Sequence, residues 1–329
     1  MSFKACRTFS EQNQVITKIV DMELSSPEAE EVVIQVEYSS INFKDALAAT
    51  GRGKILKQFP LNVGIDLAGV VVESNHEKFK AGQPVLVNGC GLGEQFDGGL
   101  AQFAKVHGQW VMPMPEGLNS RTAMILGTAG FTAALCVHRM QVNGQRPELG
   151  PIVVTGATGG VGKAATILLS ELGYEVFAVT SRKEQFEQDL KALGANQVLT
   201  PEGLRLGKGP LEKARFGGAI DNVGGELLSH LYAHTQLWGN IACVGMAASP
   251  SLSATVFPLI LRGVSLLGVS STNCPMPLRT QIWQELGKTI NVEKLEKIIY
   301  DTIPLTEVIP CFEALLDRKI HGRYLVDCR

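Results

Sequence analysis

The sequence has no run of lysine or arginine residues, and its formal net charge is only −2 over 329 residues. A protein whose main ligand is a nucleic acid needs a basic footprint. No uninterrupted apolar segment approaches the roughly 20 residues that span a bilayer, and residues 1–7 contain no apolar stretch for a signal peptide. These absences argue against nucleic-acid binding and membrane insertion, and they predict a soluble cytoplasmic protein.

Patterns of metal ligands are also missing. The seven cysteines are scattered and form no Cys-x-x-Cys pair, so reduced thiols are expected rather than a zinc ribbon or a disulfide framework. His230 and His234, with Glu226 one turn earlier, have the spacing of ligands on one helix face. There is no His-Glu-x-x-His motif and no third ligand. We therefore predict no bound metal and interpret these side chains as an exposed polar helix face.

The length is typical of about two domains. Residues 31–125 are predicted to be mostly β-structure, because short apolar strands are separated by Gly and Pro. The predicted strands are 32–36, 69–73 and 84–87. This pattern indicates a barrel-like or sandwich-like domain. The absence of a Gly-x-Ser-x-Gly motif disfavours an α/β-hydrolase.

The pattern changes near Ser120, where strands begin to alternate with helices. Alternation is the signature of βαβ units, and it predicts an α/β fold with a doubly wound parallel sheet of the Rossmann type. The predicted helices are 121–140, 161–172 and 186–193, the last two ended by Gly173 and Gly194, and the predicted strands are 152–155, 174–180, 219–220, 241–244 and 264–267. Residues 204–218 are predicted to be a surface loop or a poorly formed helix.

A glycine-rich turn at residues 156–162 follows a buried strand and opens an amphipathic helix. A dinucleotide-binding site needs glycine there for a sharp turn, for close approach of the backbone to the pyrophosphate, and for close packing of the helix on the sheet. The amides at the helix N-terminus then meet the phosphates. The predicted pyrophosphate-binding residues are Gly156, Thr158, Gly159, Gly160, Val161 and Gly162.

The residues at the end of the next strand distinguish an NAD-binding site from an NADP-binding site. An NAD site has an acidic residue there for the ribose hydroxyls, whereas this sequence has Thr180, Ser181, Arg182 and Lys183, with no acid before Glu184. Arg can grip a 2′-phosphate bidentately. We therefore predict NADP(H), with Thr180, Ser181 and Arg182 as its ligands; a solvated basic turn is the alternative.

Four further stretches, together with the glycine turn, carry a family resemblance. They are residues 40–47 (SINFKDAL), 64–69 (GIDLAG), 127–133 (GTAGFTA) and 320–323 (IHGR). The chain resembles the zinc-independent medium-chain dehydrogenase/reductases over essentially its whole length. Within that family it is similar to a branch of NADPH-dependent acryloyl-CoA reductases, which are also described as quinone oxidoreductases.

The resemblance implies a β-rich GroES-like substrate and catalytic domain at 1–123 and 266–329, a Rossmann NADP-binding domain at 124–265, and an active site in the cleft between them. It also implies that zinc is absent, because Phe43 and the segment 64–66 stand where zinc relatives have ligands. Phe43 and Asn42 would border the nicotinamide. The remaining cofactor groove would be lined by Asn222, Gly245, Met246, Val269, Ser270 and Arg323. Close members of the family often have Tyr in place of Phe43, and Phe cannot donate a proton.

The reaction that the resemblance implies is reduction of the C=C bond of a short 2-enoyl thioester. Hydrogen-bond donors would stabilise the enolate oxygen. The catalytic candidates are Asn42, as a polarising or orienting donor, and Lys44 and Asp45, which would fix its geometry or relay a proton. The alternative for this segment is a helix start with Asn42 as N-cap.

Other roles stay open at this point. Arg52 and Lys54 could bind CoA phosphates or belong to a solvated loop, and Asp66 could pair with Asp45 or accept structural hydrogen bonds. A quinone reductase is a rival function, and a non-catalytic protein that binds NADPH or RNA is another. A homodimer is expected, because symmetric dimers are the commonest oligomers.

Overall fold

The computed structural model describes residues 1–12 and 14–329. Its strands, in chain order, are β1 (Ser2–Glu11), β2 (Gln14–Glu23), β3 (Glu31–Ile41), β4 (Leu61–Asn62), β5 (Asp66–Ser74), β6 (Pro84–Asn88), β7 (Phe103–His107), β8 (Met112–Pro113), β9 (Ile152–Thr155), β10 (Val176–Val179), β11 (Gln197–Leu199), β12 (Phe216–Asp221), β13 (Thr235–Cys243), β14 (Ser265–Gly268), β15 (Ile299–Pro304) and β16 (Arg323–Asp327).

Its α-helices are α1 (Phe43–Thr50), α2 (Ser120–Val142), α3 (Gly160–Glu171), α4 (Lys183–Leu193), α5 (Gly225–Ala233), α6 (Phe257–Arg262), α7 (Met276–Thr289), α8 (Val292–Leu295) and α9 (Val308–Leu316). The chain forms two compact units. The first contains residues 1–128, 272–288 and 298–329, and the second contains residues 129–271 and 289–297. The domain limits expected from the sequence were 123/124 and 265/266.

The first unit is built around β3, which is antiparallel to β5, β7 and β16. Its larger sheet has the order β15-β16-β3-β5-β6-β8, and a second sheet has the order β2-β1-β4. Inward side chains such as Ile34, Leu67 and Val326 are fully buried in one core. The short strands between Gly and Pro turns therefore do form a β-rich unit, as their spacing predicts.

The second unit contains a six-stranded parallel sheet with the order β11-β10-β9-β12-β13-β14. Counted along the chain, this is the 3-2-1-4-5-6 order of a Rossmann fold. β9 is buried over its whole length, as expected for a parallel strand covered on both faces. The predicted doubly wound α/β fold is confirmed.

Most predicted helices of the second unit are present, and their ends have the expected chemistry. Gly173 and Gly194 have φ of 79° and 117°, the left-handed conformation that favours glycine after a helix. The prediction for residues 204–218 was wrong at its end, because the buried Phe216 begins β12. The Lys and Gly residues that precede Phe216 are typical of a loop, and they gave no indication that an interior strand of the sheet begins there.

Helix α2 differs from the simple amphipathic helix expected at 121–140. Gly127 interrupts it with φ 48° and ψ −151°. The helix is long and apolar enough to cross a membrane, but 78% of its most apolar window is buried within the protein. It has the character of a core helix.

Candidate active site

The glycine-rich turn between β9 and α3 has the geometry that a pyrophosphate site requires. Gly156 leaves the strand with φ 58°, which glycine adopts without strain. A Cβ on Gly162 would lie 2.5 Å from the carbonyl oxygen of Gly156, so only glycine lets the helix pack this closely on the turn. α3 begins at Gly160 with Gly159 as its N-cap, and its N-terminal amides can receive phosphate oxygens.

The predicted cofactor residues of the second unit follow the carboxyl ends of neighbouring parallel strands. Because these ends share one edge of the sheet, the residues lie on the side where Rossmann folds bind their ligands. They are Gly156 to Gly162 after β9, Thr180, Ser181 and Arg182 after β10, Asn222 after β12, Gly245 and Met246 after β13, and Val269 and Ser270 after β14. Met246 is 70% exposed, and Ser181 and Ser270 are also exposed.

Asn222 is held in place by the neighbouring turn. Its backbone N–H donates to Thr155 Oγ1 at 2.9 Å, and its side-chain Nδ2 donates to the Thr155 carbonyl at 2.8 Å. The same Thr155 hydroxyl donates to the buried carboxylate of Asp221 at 2.7 Å. Burial raises the pKa of Asp221. The sequence analysis missed Asp221 and Thr155, although polar residues at the ends of buried strands are the signal that points to them.

Arg182 follows β10 at this edge of the sheet, and its side chain and backbone are both hydrogen-bonded. Its Nη2 donates to Thr158 Oγ1 at 3.1 Å, and its backbone N–H donates to Thr180 Oγ1 at 3.1 Å. Its guanidinium carbon lies 4.8 Å from the ring centroid of Phe186, which is buried. The structure therefore joins the predicted 2′-phosphate ligand to the predicted pyrophosphate loop. Sequence reasoning did not identify Phe186 as part of this arrangement.

A second site feature, in the first unit, is a buried polar cluster. The register of β3 with β5 and β16 brings together Ser40, Asn42, Asp66 and Arg323, each at most 9% exposed. Asp66 Oδ1 accepts from Ser40 Oγ at 2.6 Å, and Asp66 Oδ2 accepts from Asn42 Nδ2 at 2.8 Å. Asp66 Oδ2 also accepts from the backbone N–H of Thr128 at 2.8 Å.

Arg323 supplies the positive charge of this cluster. Its Nη2 lies 3.8 Å from Asp66 Oδ2 and donates to Ser40 Oγ, and its Nη1 donates to Asn42 Oδ1 at 3.2 Å. Burial lowers the pKa of Arg323, and the nearby Asp66 and Asp45 oppose that shift. The structure thus places the guanidinium of Arg323, a predicted cofactor-groove residue, on buried groups of its own unit.

Asp45 is the second carboxyl of this region. Its Oδ2 accepts from the backbone N–H of Asn42 at 2.8 Å and from Asn42 Nδ2 at 3.2 Å, and its Oδ1 accepts from the Ile65 N–H at 2.9 Å. Burial raises the pKa of Asp45 to about 7, and the negative charge of Asp66 adds to the shift. The acid pair considered from the sequence therefore does come together.

These contacts bear on both interpretations of residues 42–45. Asn42 is the N-cap of α1, as the helix-start alternative expects, but Asp45 is buried, whereas that alternative expects the partners of Asn42 to be solvated. The Asn42 side-chain NH2 donates to Asp45 and Asp66, so this amide orients neighbouring groups and is not directed outward as a polarising donor. Phe43 opens the helix and is 54% exposed, which leaves its ring accessible.

Two of the cationic side chains near α1, Lys44 and Arg52, form ion pairs, and Lys54 is exposed. Lys44 Nζ lies 3.1 Å from Glu94 Oε1 and donates to Thr272 Oγ1 at 3.0 Å. Arg52 forms an ion pair with Glu313 at 3.0 Å and lies 3.5 Å from Asp317. Neither of the two alternatives for Arg52 described this pairing, which links the loop after α1 to α9.

The interpretation of the His230–His234 pair as an exposed helix face was wrong for His234. That residue is buried at the end of α5. Its Nδ1 lies 2.8 Å from the His230 carbonyl, and its Nε2 accepts from the Gly207 N–H at 3.1 Å. Both ring nitrogens therefore have backbone partners. Over residues 1–12 and 14–329, no three His, Cys, Asp or Glu side chains group as metal ligands.

The residues of the second unit fit a bound NADP(H). Gly159 leaves a cradle at the N-terminus of α3, because a Cβ there would meet only the Gly156 carbonyl oxygen, at 3.4 Å. The turn at Gly156 gives the backbone close approach to a pyrophosphate, and the Arg182 guanidinium matches a 2′-phosphate. An acid that would repel that phosphate is absent from the turn at 180–183.

Comparison with known proteins agrees with this architecture. Residues 28–116 match the alcohol dehydrogenase GroES-like domain, and residues 160–290 match the family described as zinc-binding dehydrogenase. The chain is 46% identical to an Escherichia coli protein named as an acrylyl-CoA reductase, AcuI, over 90% of both chains. It is 40% identical to the AcuI acrylyl-CoA reductase of Ruegeria pomeroyi, again over 90% of both.

A third relative, YhfP of Bacillus subtilis, is named as a quinone oxidoreductase and is 43% identical over 90% of this chain and 89% of its own. A solved structure of YhfP with NAD bound has a TM-score of 0.96, 39% identity and 99% coverage of both chains. The yhdH oxidoreductase of Salmonella enterica in complex with NADP has a TM-score of 0.94, 41% identity and full coverage of both chains. This chain is an oxidoreductase that belongs to the medium-chain dehydrogenase/reductase family.

Proposed function

We propose that this protein reduces the C=C bond of a short 2-enoyl-CoA with NADPH, converting acryloyl-CoA to propionyl-CoA. One observation carries the substrate assignment: the chain shares 40–46% identity over 90% of its length with two proteins named as acrylyl-CoA reductases. The NADPH assignment is supported by the position of Arg182 on Thr158 beside the glycine turn.

The reaction adds one hydride and one proton across the C=C bond. Bound NADPH would supply the hydride that adds to the β-carbon. The π electrons of the C=C bond move toward the thioester, and an enolate oxygen develops that hydrogen-bond donors must stabilise. A proton then adds to the α-carbon and gives the saturated thioester.

The roles of the chain's own residues follow from their contacts. The glycine turn would hold the pyrophosphate of the cofactor, and Arg182 would hold its 2′-phosphate. Phe43 has an exposed apolar ring, and the family resemblance assigns this residue to the nicotinamide. Asn42 is an orienting residue, because its amide ties α1 to both carboxyls. Phe43 has no hydroxyl, so the proton comes from elsewhere. Of the two candidates that can carry a proton, Asp45 is buried and Lys44 is partly exposed, and Glu94 and Thr272 fix the position of Lys44. We therefore assign the proton transfer to Lys44.

The assignment is tested by following the absorbance of NADPH with acryloyl-CoA and identifying the product by mass spectrometry. NADH and a simple quinone are assayed in parallel, and propionyl-CoA is the control substrate that lacks the double bond. Rapid oxidation of NADPH by acryloyl-CoA, with propionyl-CoA as product, supports the proposal. Turnover of the quinone alone overturns the thioester assignment and leaves the cofactor assignment intact.

The second candidate is an NADPH:quinone oxidoreductase. It is favoured by the 43% identity to the Bacillus protein named for that activity. A CoA-binding site needs cations for its phosphates, and Arg52 is engaged by Glu313 and Asp317. A quinone needs no such cation. The assay above separates the two functions directly.

We also propose a homodimer located in the cytoplasm. β14 is an edge strand of the parallel sheet, and helix α6 beside it exposes Phe257, Leu259, Ile260 and Leu261. Exposed apolar patches and open strand edges are typical of association surfaces. A two-fold axis would cover both copies of this surface at once.

A further inference from the structure

Arg182 contacts two threonine hydroxyls and one aromatic ring. The Thr158 hydroxyl accepts from one guanidinium nitrogen, the Thr180 hydroxyl accepts from the backbone N–H, and the Phe186 ring lies 4.8 Å from the guanidinium carbon. That distance is within the range of a cation–π interaction, which extends to about 6 Å. Phe186 is itself 2% exposed and lies in α4, so its ring is a rigid support.

We infer that Phe186 is a specificity-determining residue, which holds the Arg182 guanidinium in the orientation that binds the 2′-phosphate of NADPH and thereby favours NADPH over NADH. Phe186 is a positioning residue that acts through Arg182. The Thr158 hydroxyl accepts from the same guanidinium at 3.1 Å and links it to the glycine turn.

The physical reason is preorganisation. A long arginine side chain loses rotamer freedom when it binds a ligand, and that loss weakens binding. A ring that covers the guanidinium restricts the rotamers before the cofactor arrives. Arg binds phosphate through hydrogen bonds from the N–H groups of its fork, whereas the Phe186 ring lies 4.8 Å from the guanidinium carbon. The ring therefore supplies no hydrogen-bond acceptor as strong as the phosphate for these N–H groups.

The inference depends on the cofactor assignment but not on the substrate. A hydroxyl at the ribose 2′ position makes no use of a fixed cation, so the Phe186 contact should affect NADPH and leave NADH unchanged. This difference separates positioning of Arg182 from a general contribution of Phe186 to the core, which would change the binding of both nucleotides.

The main test is Phe186→Leu, with nucleotide dissociation constants measured from the fluorescence of NADPH and NADH. The structure offers a matched control in Phe216→Leu. Phe216 is also buried in the second unit, and Arg215 lies 4.9 Å from its ring centroid, but it begins β12 at the opposite end of the sheet from the cofactor residues. We expect Phe186→Leu to raise the Kd for NADPH about three- to tenfold with no change for NADH, and Phe216→Leu to raise neither.

A second variant guards against a folding defect. Thr158→Val keeps the side-chain shape and removes the acceptor, so it should also weaken NADPH more than NADH. In an Arg182→Ala background, Phe186→Leu should have no further effect on NADPH binding, because nothing remains for the ring to position. Thermal shifts with 2′,5′-ADP provide a readout that needs no turnover and should shrink in the same variants.

The outcomes separate this inference from the cofactor assignment. A wild-type protein that does not prefer NADPH contradicts the assignment itself. A wild-type preference that Phe186→Leu leaves unchanged, or an equal weakening of both nucleotides, overturns the inference alone. Additive effects of Phe186→Leu and Arg182→Ala would also overturn it.

Discussion

At the scale of single residues, the buried cluster of the first unit contains more acidic groups than its one cation can balance. Arg323 lies 3.8 Å from Asp66 and donates hydrogen bonds to Ser40 and Asn42. Asp45 forms no ion pair among the described residues and accepts hydrogen bonds from Asn42 and Ile65. A buried carboxylate without a cation is costly. The protein avoids this cost when Asp45 keeps its proton, which is why its pKa rises.

This arrangement predicts a pH dependence of stability. The pKa of Asp45 is about 7 in the folded protein, above its unfolded value, so the folded state holds the proton more tightly. The stability that Asp45 contributes is complete below about pH 4 and is lost as the pH rises to about 7. We expect the difference in free energy of unfolding between the wild type and Asp45→Asn to shrink from pH 5 to pH 7 and to stay level up to pH 8.

Chemical denaturation at each pH measures that difference. The exposed Asp21, which pairs with Lys4 at 2.9 Å, offers the control Asp21→Asn. A difference for Asp45→Asn that grows with pH would contradict the assignment, because it would mean that the folded state favours the charged carboxylate.

Sequence reasoning at this scale identified which residues matter but not which atoms they face. Asn42, Asp45 and Asp66 are recognisable from their motifs, whereas the register that places Arg323 on Asp66 joins strands more than 250 positions apart. His234 shows the same limit. Its ring is buried because two backbone groups from different segments satisfy its nitrogens, and helical spacing carries no information about those segments.

At the scale of elements, the strand–turn–helix formed by β9 and α3 contains two glycines with different duties. A Cβ on Gly162 would lie 2.5 Å from the Gly156 carbonyl oxygen and 2.6 Å from Ala157 Cα, so this glycine is required for packing. A Cβ on Gly159 would make only an ordinary contact of 3.4 Å, but it would enter the space where phosphate oxygens approach the backbone.

We therefore predict a loss of stability for one alanine variant and a loss of cofactor affinity for the other. Gly162→Ala should destabilise the protein by about 1–3 kcal/mol, because the helix must move away from the turn. Gly159→Ala should leave the melting temperature nearly unchanged and raise the Kd for NADPH at least tenfold. Differential scanning calorimetry and nucleotide fluorescence measure the two effects. Equal loss of stability in both variants would show that Gly159 is also a packing residue.

Helices with a clear period of apolar residues, or with a glycine at the C-terminal end, could be predicted from the sequence. Helices that have neither feature could not. α4 buries one face, α3 is buried on all sides over residues 162–169, and a glycine closes or follows each helix, so their predicted limits are close to the observed ones. α6 has only six residues and exposes apolar side chains on several sides, which gives no amphipathic period. The kink at Gly127 could not be predicted from the sequence either, because the side chains of Arg323, Ser40 and Asp66 that lie against this glycine come from distant parts of the chain.

At the scale of the whole molecule, the apolar surface is unevenly distributed. Ile260 of α6 is 73% exposed, and Trp238 at the start of β13 is 70% exposed. The Trp238 ring lies against Gly263, directly after α6, and α6 packs on β13, the neighbour of the edge strand β14. The exposed side chains of α6 and Trp238 therefore form an apolar patch near this edge. Exposed apolar patches are typical of association surfaces, which supports the homodimer proposed above.

If a second copy covers the patch, a charge in its centre should separate the copies. We expect light scattering after gel filtration to give twice the chain mass of 35.4 kDa for the wild type, and one chain mass for Ile260→Glu, because the interface would have to bury an unpaired carboxylate. The control is Val292→Glu in α8, where the side chain is 41% exposed and the nearby Lys294 pairs with Glu171 of α3. A wild type that elutes as a monomer, or an Ile260→Glu variant that remains dimeric, would show that this surface serves another purpose; loss of the dimer in Val292→Glu as well would place the interface elsewhere on the second unit.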